Sequence, residues 1–333
     1  MAGDRAQPAP ADATPAAGRG PSALGAEGPP PWGTLPVPRP QPGEQAQAMT
    51  KIQPGSIVVG ADGSPEADRA VQWAAEQAAF ERRPLVVLSA CVEAPALVAA
   101  SMGAAYACST DDLFVAAQST ASAAAELAIH HRSGLPVETL AVMTDPRIAL
   151  IEAAESAHLV VLGSRGHGPI TSKLLGSVGA TVMKRAACPV VVCRPGTELR
   201  VKRGVIVGAD ATAESLPIID FAFRQASLRS QPLTILHTYL DETYEHASRI
   251  AVAESIAGFR EHYPEVAVAA HTTQGFAAAA LSAIADRHDL VVIGRHPIDS
   301  VARHIVGAIS TAVLERAHTT IAIVPEAATA LAR

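Results

Sequence analysis

The stretch Leu159-Val160-Val161-Leu162-Gly163-Ser164-Arg165-Gly166-His167-Gly168, with nine residues between Gly166 and Gly176-Ser177, decides the fold. Four consecutive apolar residues bounded by glycine read as a buried strand. The segment Val178–Ala187 beyond the second glycine pair reads as a helix. A strand, a glycine-rich turn and a helix N-terminus together make an anion site, because glycine lets backbone approach a phosphate and free amides at the helix start point at it. The spacing therefore places a phosphate-bearing ligand at residues 163–179.

Working outward, the pattern occurs twice. Ser56-Ile57-Val58-Val59-Gly60-Ala61-Asp62 recurs as Gly204-Val205-Ile206-Val207-Gly208-Ala209-Asp210. Leu85–Ser89 recurs as Leu233–His237, Leu159–Gly163 as Leu290–Gly294, and Cys188–Val192 as Thr320–Pro325. Each copy reads as five strands alternating with four helices, which means a parallel sheet covered on both faces. The first helix has Ser64 as N-cap and Pro65 at its first position. Val71, Ala74, Ala75, Ala78 and Ala79 form its apolar stripe, interrupted by Trp73 as a partly buried anchor.

The interval from Gly60 to Gly163 is 103 residues and that from Gly208 to Gly294 is 86, so copy one carries 17 more (103 − 86). They fall around Ala94–Asp112, as a surface insertion or a lid over the strand ends.

Composition narrows the function. The chain of 333 residues has room for two domains, 49% hydrophobic content but only 4% aromatic, and a net charge of −6. The acidic balance and the lack of an aromatic platform exclude nucleic acid as an expected partner. No apolar stretch reaches the roughly 18–20 residues that span a bilayer, so no membrane is expected. The first fifty residues hold eleven of the 25 prolines and lack a signal-peptide pattern, so residues 1–50 read as a disordered Pro/Ala/Gly tail. Met49 leaves open whether residues 1–48 are always translated. Cys91, Cys108, Cys188 and Cys193 form no CxxC pair and read as reduced thiols of a cytoplasmic protein.

These motifs resemble the universal stress protein family. The resemblance rests on the G-x2-G-x9-G-[ST] spacing, on Ile57-Val58-Val59-Gly60-Ala61-Asp62-Gly63-Ser64, on Val142-Met143-Thr144-Asp145-Pro146 before a helix, and on the tandem layout. It covers residues 51–195 and 201–326 and implies an α/β fold: two tandem Rossmann-like domains of the adenine nucleotide alpha hydrolase kind. It also implies ATP as ligand, with or without Mg. Carried over by position, Gly60 and Asp62 border the adenosine, Asp62 accepting from ribose or base, and Val142 lines the adenine pocket. Gly163, Ser164, Arg165, Gly166, His167 and Gly168 form the phosphate loop, and Gly176, Ser177 and Val178 finish it. Ser177 can cap the helix or donate to a phosphate, and Arg165 can offset its charge.

Thr144 departs from the family, which often has glycine there. Copy two departs further: Pro297 stands where copy one has Gly166, and Gly307-Ala308 replaces Gly176-Ser177. Two lost donors to a charged ligand cost about 1.5–3 kcal/mol each, so copy two is expected to bind ATP weakly or not at all.

No catalytic residue is assigned. Asp62 and Asp210 lack a partner acid or base in sequence, His167 reads as a solvent-facing loop residue, and Lys173 as a surface charge. His296 and His304 are spaced wrongly for a metal on one helical turn, and no metal site is expected. Glu242, Glu245 and His246 read as a solvated face. The expected function is a nucleotide-dependent stress sensor or regulator acting on an unidentified protein partner. A slow ATP hydrolase or phosphotransferase and a ligand-free scaffold are the alternatives. Val190-Val191-Val192 and Ile321-Ala322-Ile323 are expected to pair within the chain as a pseudo-dimer. A homodimer stays open.

Overall fold

The computed structural model describes residues 52–92, 110–166, 175–195, 203–295 and 312–326. The tail, residues 94–109 of the insertion with Cys108, and His167, Gly168, Lys173, His296, Pro297, His304, Gly307 and Ala308 lie outside them, whereas residues 110–112 already belong to a helix.

Copy one contributes β1 (Ile57–Gly60), α1 (Pro65–Glu81), β2 (Leu85–Cys91), α2 (Thr110–His131), β3 (Val137–Met143), α3 (Pro146–Ala153), β4 (Leu159–Gly163), α4 (Ser177–Arg185) and β5 (Val190–Cys193). Copy two contributes β6 (Val205–Gly208), α5 (Leu216–Leu228), β7 (Leu233–Tyr239), α6 (Glu245–His262), β8 (Val268–Gln274), α7 (Ala277–Ile284), β9 (Leu290–Arg295) and β10 (Thr320–Pro325). Residues 312–316 are helical ahead of β10.

The ten strands form one sheet in the order β3-β2-β1-β4-β5-β10-β9-β6-β7-β8. Pairing is parallel within each copy. At the centre β5 and β10 run antiparallel, with Val190, Val191 and Val192 opposite Ile323, Ala322 and Ile321. Each copy would otherwise leave β5 or β10 as an open apolar edge, and the pairing closes both.

Strand residues alternate between two cores. Ile57, Val59, Leu159 and Val161 join the cluster under α1, α2, α5 and α6. Val58, Val160, Leu162 and Val192 join the one under α3, α4, α7 and residues 313–317. Both faces of these strands are therefore dry, which is why they read as unbroken apolar runs. Each fully buried side chain of this size contributes roughly 1.5–3 kcal/mol.

Helix α1 starts as its sequence requires: Ser64 accepts from the Ala67 amide at 3.2 Å and Pro65 sits at the first position. Ala70, Ala74, Ala75 and Ala78 are fully buried, and their small size brings the helix close to the sheet. Trp73 is partly buried, with the Arg229 guanidinium from copy two 4.9 Å from its ring centre. The copies also meet at Glu81, which binds Arg224 Nη2 at 2.9 Å and His158 Nε2 at 2.8 Å. Burial alone would raise the Glu81 pKa, but the His158 hydrogen bond and the Arg224 charge overcome it and hold it at about 2.

Cys188 and Cys193 are buried free thiols and Cys91 is half-buried. Burial pushes the Cys188 thiol up to about 12, away from reactivity at neutral pH. Glu242, Glu245 and His246 are exposed.

Candidate functional site

The C-terminal ends of β1 and β4 lie side by side and open onto a cavity of about 400 Å³. Among the described residues it is lined by Gly60, Asp62, Gly163, Arg165, Gly166, Gly176, Ser177 and Val178, eight of the positions singled out from sequence. Ends of parallel strands flanked by helix N-termini are where open α/β sheets hold ligands.

Short bonds fix the geometry. Asp62 Oδ1 accepts from the Ser64 amide at 3.0 Å, so the carboxylate closes a turn just before α1. Ser64 Oγ, besides capping α1, lies 3.5 Å from the Arg165 carbonyl as its donor. The Gly176 amide donates to the Ser164 carbonyl at 3.0 Å, and the Ser164 amide to the Cys193 carbonyl at 3.0 Å. The β1 turn, the glycine loop and the start of α4 are thus one hydrogen-bonded unit.

Glycine serves two separate purposes here. A Cβ on Gly163 would lie 2.7 Å from the Glu66 carbonyl carbon and 2.9 Å from the Ala67 nitrogen, so Gly163 lets β4 abut the backbone of α1. A Cβ on Gly166 would lie 2.1 Å from Asp62 Oδ2, so this glycine makes room for the carboxylate. Gly176 is neither case: a Cβ there would find its nearest neighbour at 3.7 Å.

Two sequence expectations need correction at α4. The helix spans Ser177–Arg185, one residue earlier at its start than Val178 and two shorter at its end than Ala187. Its N-cap is Gly176, and Ser177 occupies the first helical position instead of the cap. The N-cap residue supplies no side-chain bond to the first amides of the helix, the kind of free donor that suits an anion. Arg165 is exposed beside them and supplies a positive charge.

Val142 is not among the lining residues. It is 2% exposed on β3, opposite Ala90, and it is Ala90 that borders the cavity. Ser164 is buried behind the loop. The Asp145-Pro146 pair instead delivers Pro146 and Leu150: Asp145 caps α3 by accepting from the Arg147 amide at 2.8 Å, and Pro146 at the first helical position lines the cavity. Ala61, Ala67, Leu162, Leu175 and Gly179 complete the wall. The helix-start signal that located α3 contained this information for Pro146; the remaining apolar residues carry no signal apart from strand and helix periodicity.

The equivalent cavity of copy two is about 130 Å³ among the described residues. Ile218 and the Glu326 carboxylate reach into it: a Cβ on Gly294 would lie 2.4 Å from Ile218 Cδ1 and 3.0 Å from Glu326 Oε1. Burial, with the charges of Asp210 and Glu214, pushes the Glu326 pKa up to about 7. Copy one has Arg165 at its cavity, whereas copy two gathers carboxylates. Thr144 and its counterpart also differ: Gly275 turns with φ of +123°, a conformation that Thr144 does not share.

Among the described residues no group of three His, Cys, Asp or Glu side chains could hold a metal ion, and no helix is long and apolar enough to cross a membrane. The model of the universal stress protein family matches residues 55–194 and again 203–325. The chain belongs to the universal stress protein family. A universal stress protein of Mycolicibacterium smegmatis is 30% identical over 285 residues, covering 80% of this chain and 96% of that one. A universal stress protein of Mycobacterium tuberculosis is 30% identical over 277 residues, covering 78% and 94%. A solved universal stress protein of Archaeoglobus fulgidus superposes with a TM-score of 0.63 at 18% identity over 83% of this chain and 97% of that one, a likeness of fold. The tandem, mostly parallel Rossmann-like architecture is therefore that of paired universal stress protein domains.

Proposed function

We propose that the first universal stress protein domain binds ATP, and that the second acts as its structural partner with little or no nucleotide affinity of its own. The observation that carries this reading is the cavity at the ends of β1 and β4, which Arg165, the start of α4 and Asp62 line together. A triphosphate suits Arg165 and the helix amides, and the Asp62 carboxylate suits a ribose hydroxyl or base amine. The lining suits the ligand: Arg165, the glycines of the loop and the start of α4 border the cavity together with the small residues Gly60, Ala61, Ala67 and Ala90. Glu326, a carboxylate with no counterpart among the described residues of the copy-one cavity, would repel the same phosphates in copy two.

ATP acts here as a ligand that shifts conformation or partner binding, since only a difference in affinity between two states is required for switching. No paired base and nucleophile in the described site supports rapid turnover, and steady-state phosphate release is expected well below roughly 1 s⁻¹. The test is the nucleotide content of freshly purified protein, by mass spectrometry after denaturation, with calorimetry on the stripped chain. About one ATP per chain is expected. Two equivalent tight sites, or no adenine nucleotide bound at any concentration, would refute it.

A further inference from the structure

The helix that presents its N-terminus to the cavity, α4, is short: nine residues, or about 13 Å. Helices of this length are marginal alone, so packing and end contacts must hold them in place. At its start α4 is tied by backbone alone, the Gly176 amide donating to the Ser164 carbonyl, which leaves its far end to be held separately. At the other end the Ala186 amide returns to the Val182 carbonyl, while the carbonyls of Met183 and Ala186 accept from outside the helix.

Both are met by one side chain from the other copy. Arg295, the last residue of β9, donates from Nη1 to the Met183 carbonyl at 3.1 Å and from Nη2 to the Ala186 carbonyl at 2.6 Å. A cation at a helix C-terminus also complements the helix dipole. Arg295 stands where copy one has Ser164, and the residue before it, Gly294, lines the copy-two cavity. A return contact runs the other way, from Arg194 after β5 to the Ala317 carbonyl behind helical residues 312–316.

We infer that Arg295 is a positioning residue for the nucleotide site of copy one: it anchors α4 from behind and so sets where the amides of Ser177, Val178 and Gly179 stand. The inference rests on the reading of copy one as a nucleotide site. It gives the altered loop of copy two a task, which is to hold its neighbour's phosphate helix through an arginine that a serine could not replace. A shift of the Gly294–Arg295 segment would be felt at the phosphate end of α4 through a rigid element.

The test is ATP titration by calorimetry into the full chain and into R295M, R295K and R224M, with amide NMR signals of Ser177–Gly179 recorded for each. Arg224 ties the copies through Glu81 and touches neither α4 nor the cavity, so R224M loosens the interface alone. R295M is expected to weaken ATP binding at least about fivefold, the low end of coupling between sites, and to shift the three amide signals. R224M should stay within about twofold, as separate sites do. R295K, which keeps the charge and one donor set, should fall between wild type and R295M. Wild-type affinity in R295M, equal weakening in R224M, or R295K no better than R295M would overturn the inference. If the wild-type chain bound no ATP, the proposed function would fail by itself, and the amide signals would decide alone: unshifted in R295M, they refute the anchor.

Discussion

Replacing Gly166 by alanine separates the loop's role from that of a generic flexible turn. The added Cβ would stand 2.1 Å from Asp62 Oδ2 and 3.3 Å from its Cγ. Ordinary contact begins near 3.4 Å, so the carboxylate must retreat by more than 1 Å. It can do so by rotating, because it is the end of a flexible side chain, and the backbone of Gly166 is not in the left-handed region. The cost is thus what Asp62 leaves behind. Its bond to the Ser64 amide, which is partly buried, weakens at a cost of about 1 kcal/mol of stability. Its oxygen also leaves the cavity, and a lost bond between a charged group and ligand, about 1.5–3 kcal/mol, means roughly ten- to a hundredfold weaker ATP binding. Calorimetry on G166A, D62A and the double variant closes a thermodynamic cycle. The clash account requires that G166A alter affinity less than about twofold once Asp62 is alanine. An undiminished effect in the D62A background, or wild-type affinity in G166A, would refute it.

Two further outcomes follow from the same contacts. G163A should destabilise the chain by about 1–3 kcal/mol in thermal or urea unfolding, because its Cβ meets the Glu66 and Ala67 backbone, which cannot swing aside; G176A, which has room for a Cβ, should lose less than about 1 kcal/mol, the cost of alanine at an N-cap. E326Q should stabilise at pH 8 by about 1–2 kcal/mol, after discounting for partial exposure. The Glu326 pKa rises on folding from 4.5 to about 7, so folding is favoured at low pH, where the group is protonated in both states, and the wild type loses stability as pH rises through 7. Unfolding curves of wild type and E326Q should converge near pH 4, and a gap independent of pH would contradict the assignment.

The fold was legible because its strands are unusual in a readable way. Ile57-Val58-Val59 and Leu159-Val160-Val161 are apolar on both faces, which only a parallel sheet between helix layers accommodates. The repeat then supplied the second half, and the antiparallel meeting of Val191 with Ala322 is the natural closure of two apolar edges. The site was legible as far as backbone chemistry reaches. Gly60, Asp62, Gly163, Arg165, Gly166 and Gly176 are set by turn and helix-start signals, and all line the cavity. Side-chain direction was harder. Val142 and Ala90 are opposite each other on neighbouring strands, and periodicity alone does not say which of the two ends beside the cavity. Arg295 carried no signal at all, because its partners are carbonyls more than a hundred residues away.

The two copies show which glycines report on a ligand. A Cβ on Gly208 would lie 2.8 Å from Leu281 Cδ1, just as one on Gly60 would lie 2.8 Å from Leu162 Cδ2. Gly294 is likewise held against Ile218 by packing. Gly208 and Gly294 are therefore demanded by the sheet and its helices whether or not anything binds, and their presence in copy two is no evidence for nucleotide there. Gly166 differs, since the atom it accommodates is the Asp62 carboxylate at the cavity and no part of the core. It is at this position that copy two has Pro297, and Glu326 approaches Gly294, the counterpart of Gly163. What copy two keeps is the set of residues that pack, close the sheet edge at β10 and, through Arg295, secure α4. On the proposed function, a copy that has lost the loop glycine still serves its neighbour as a wall.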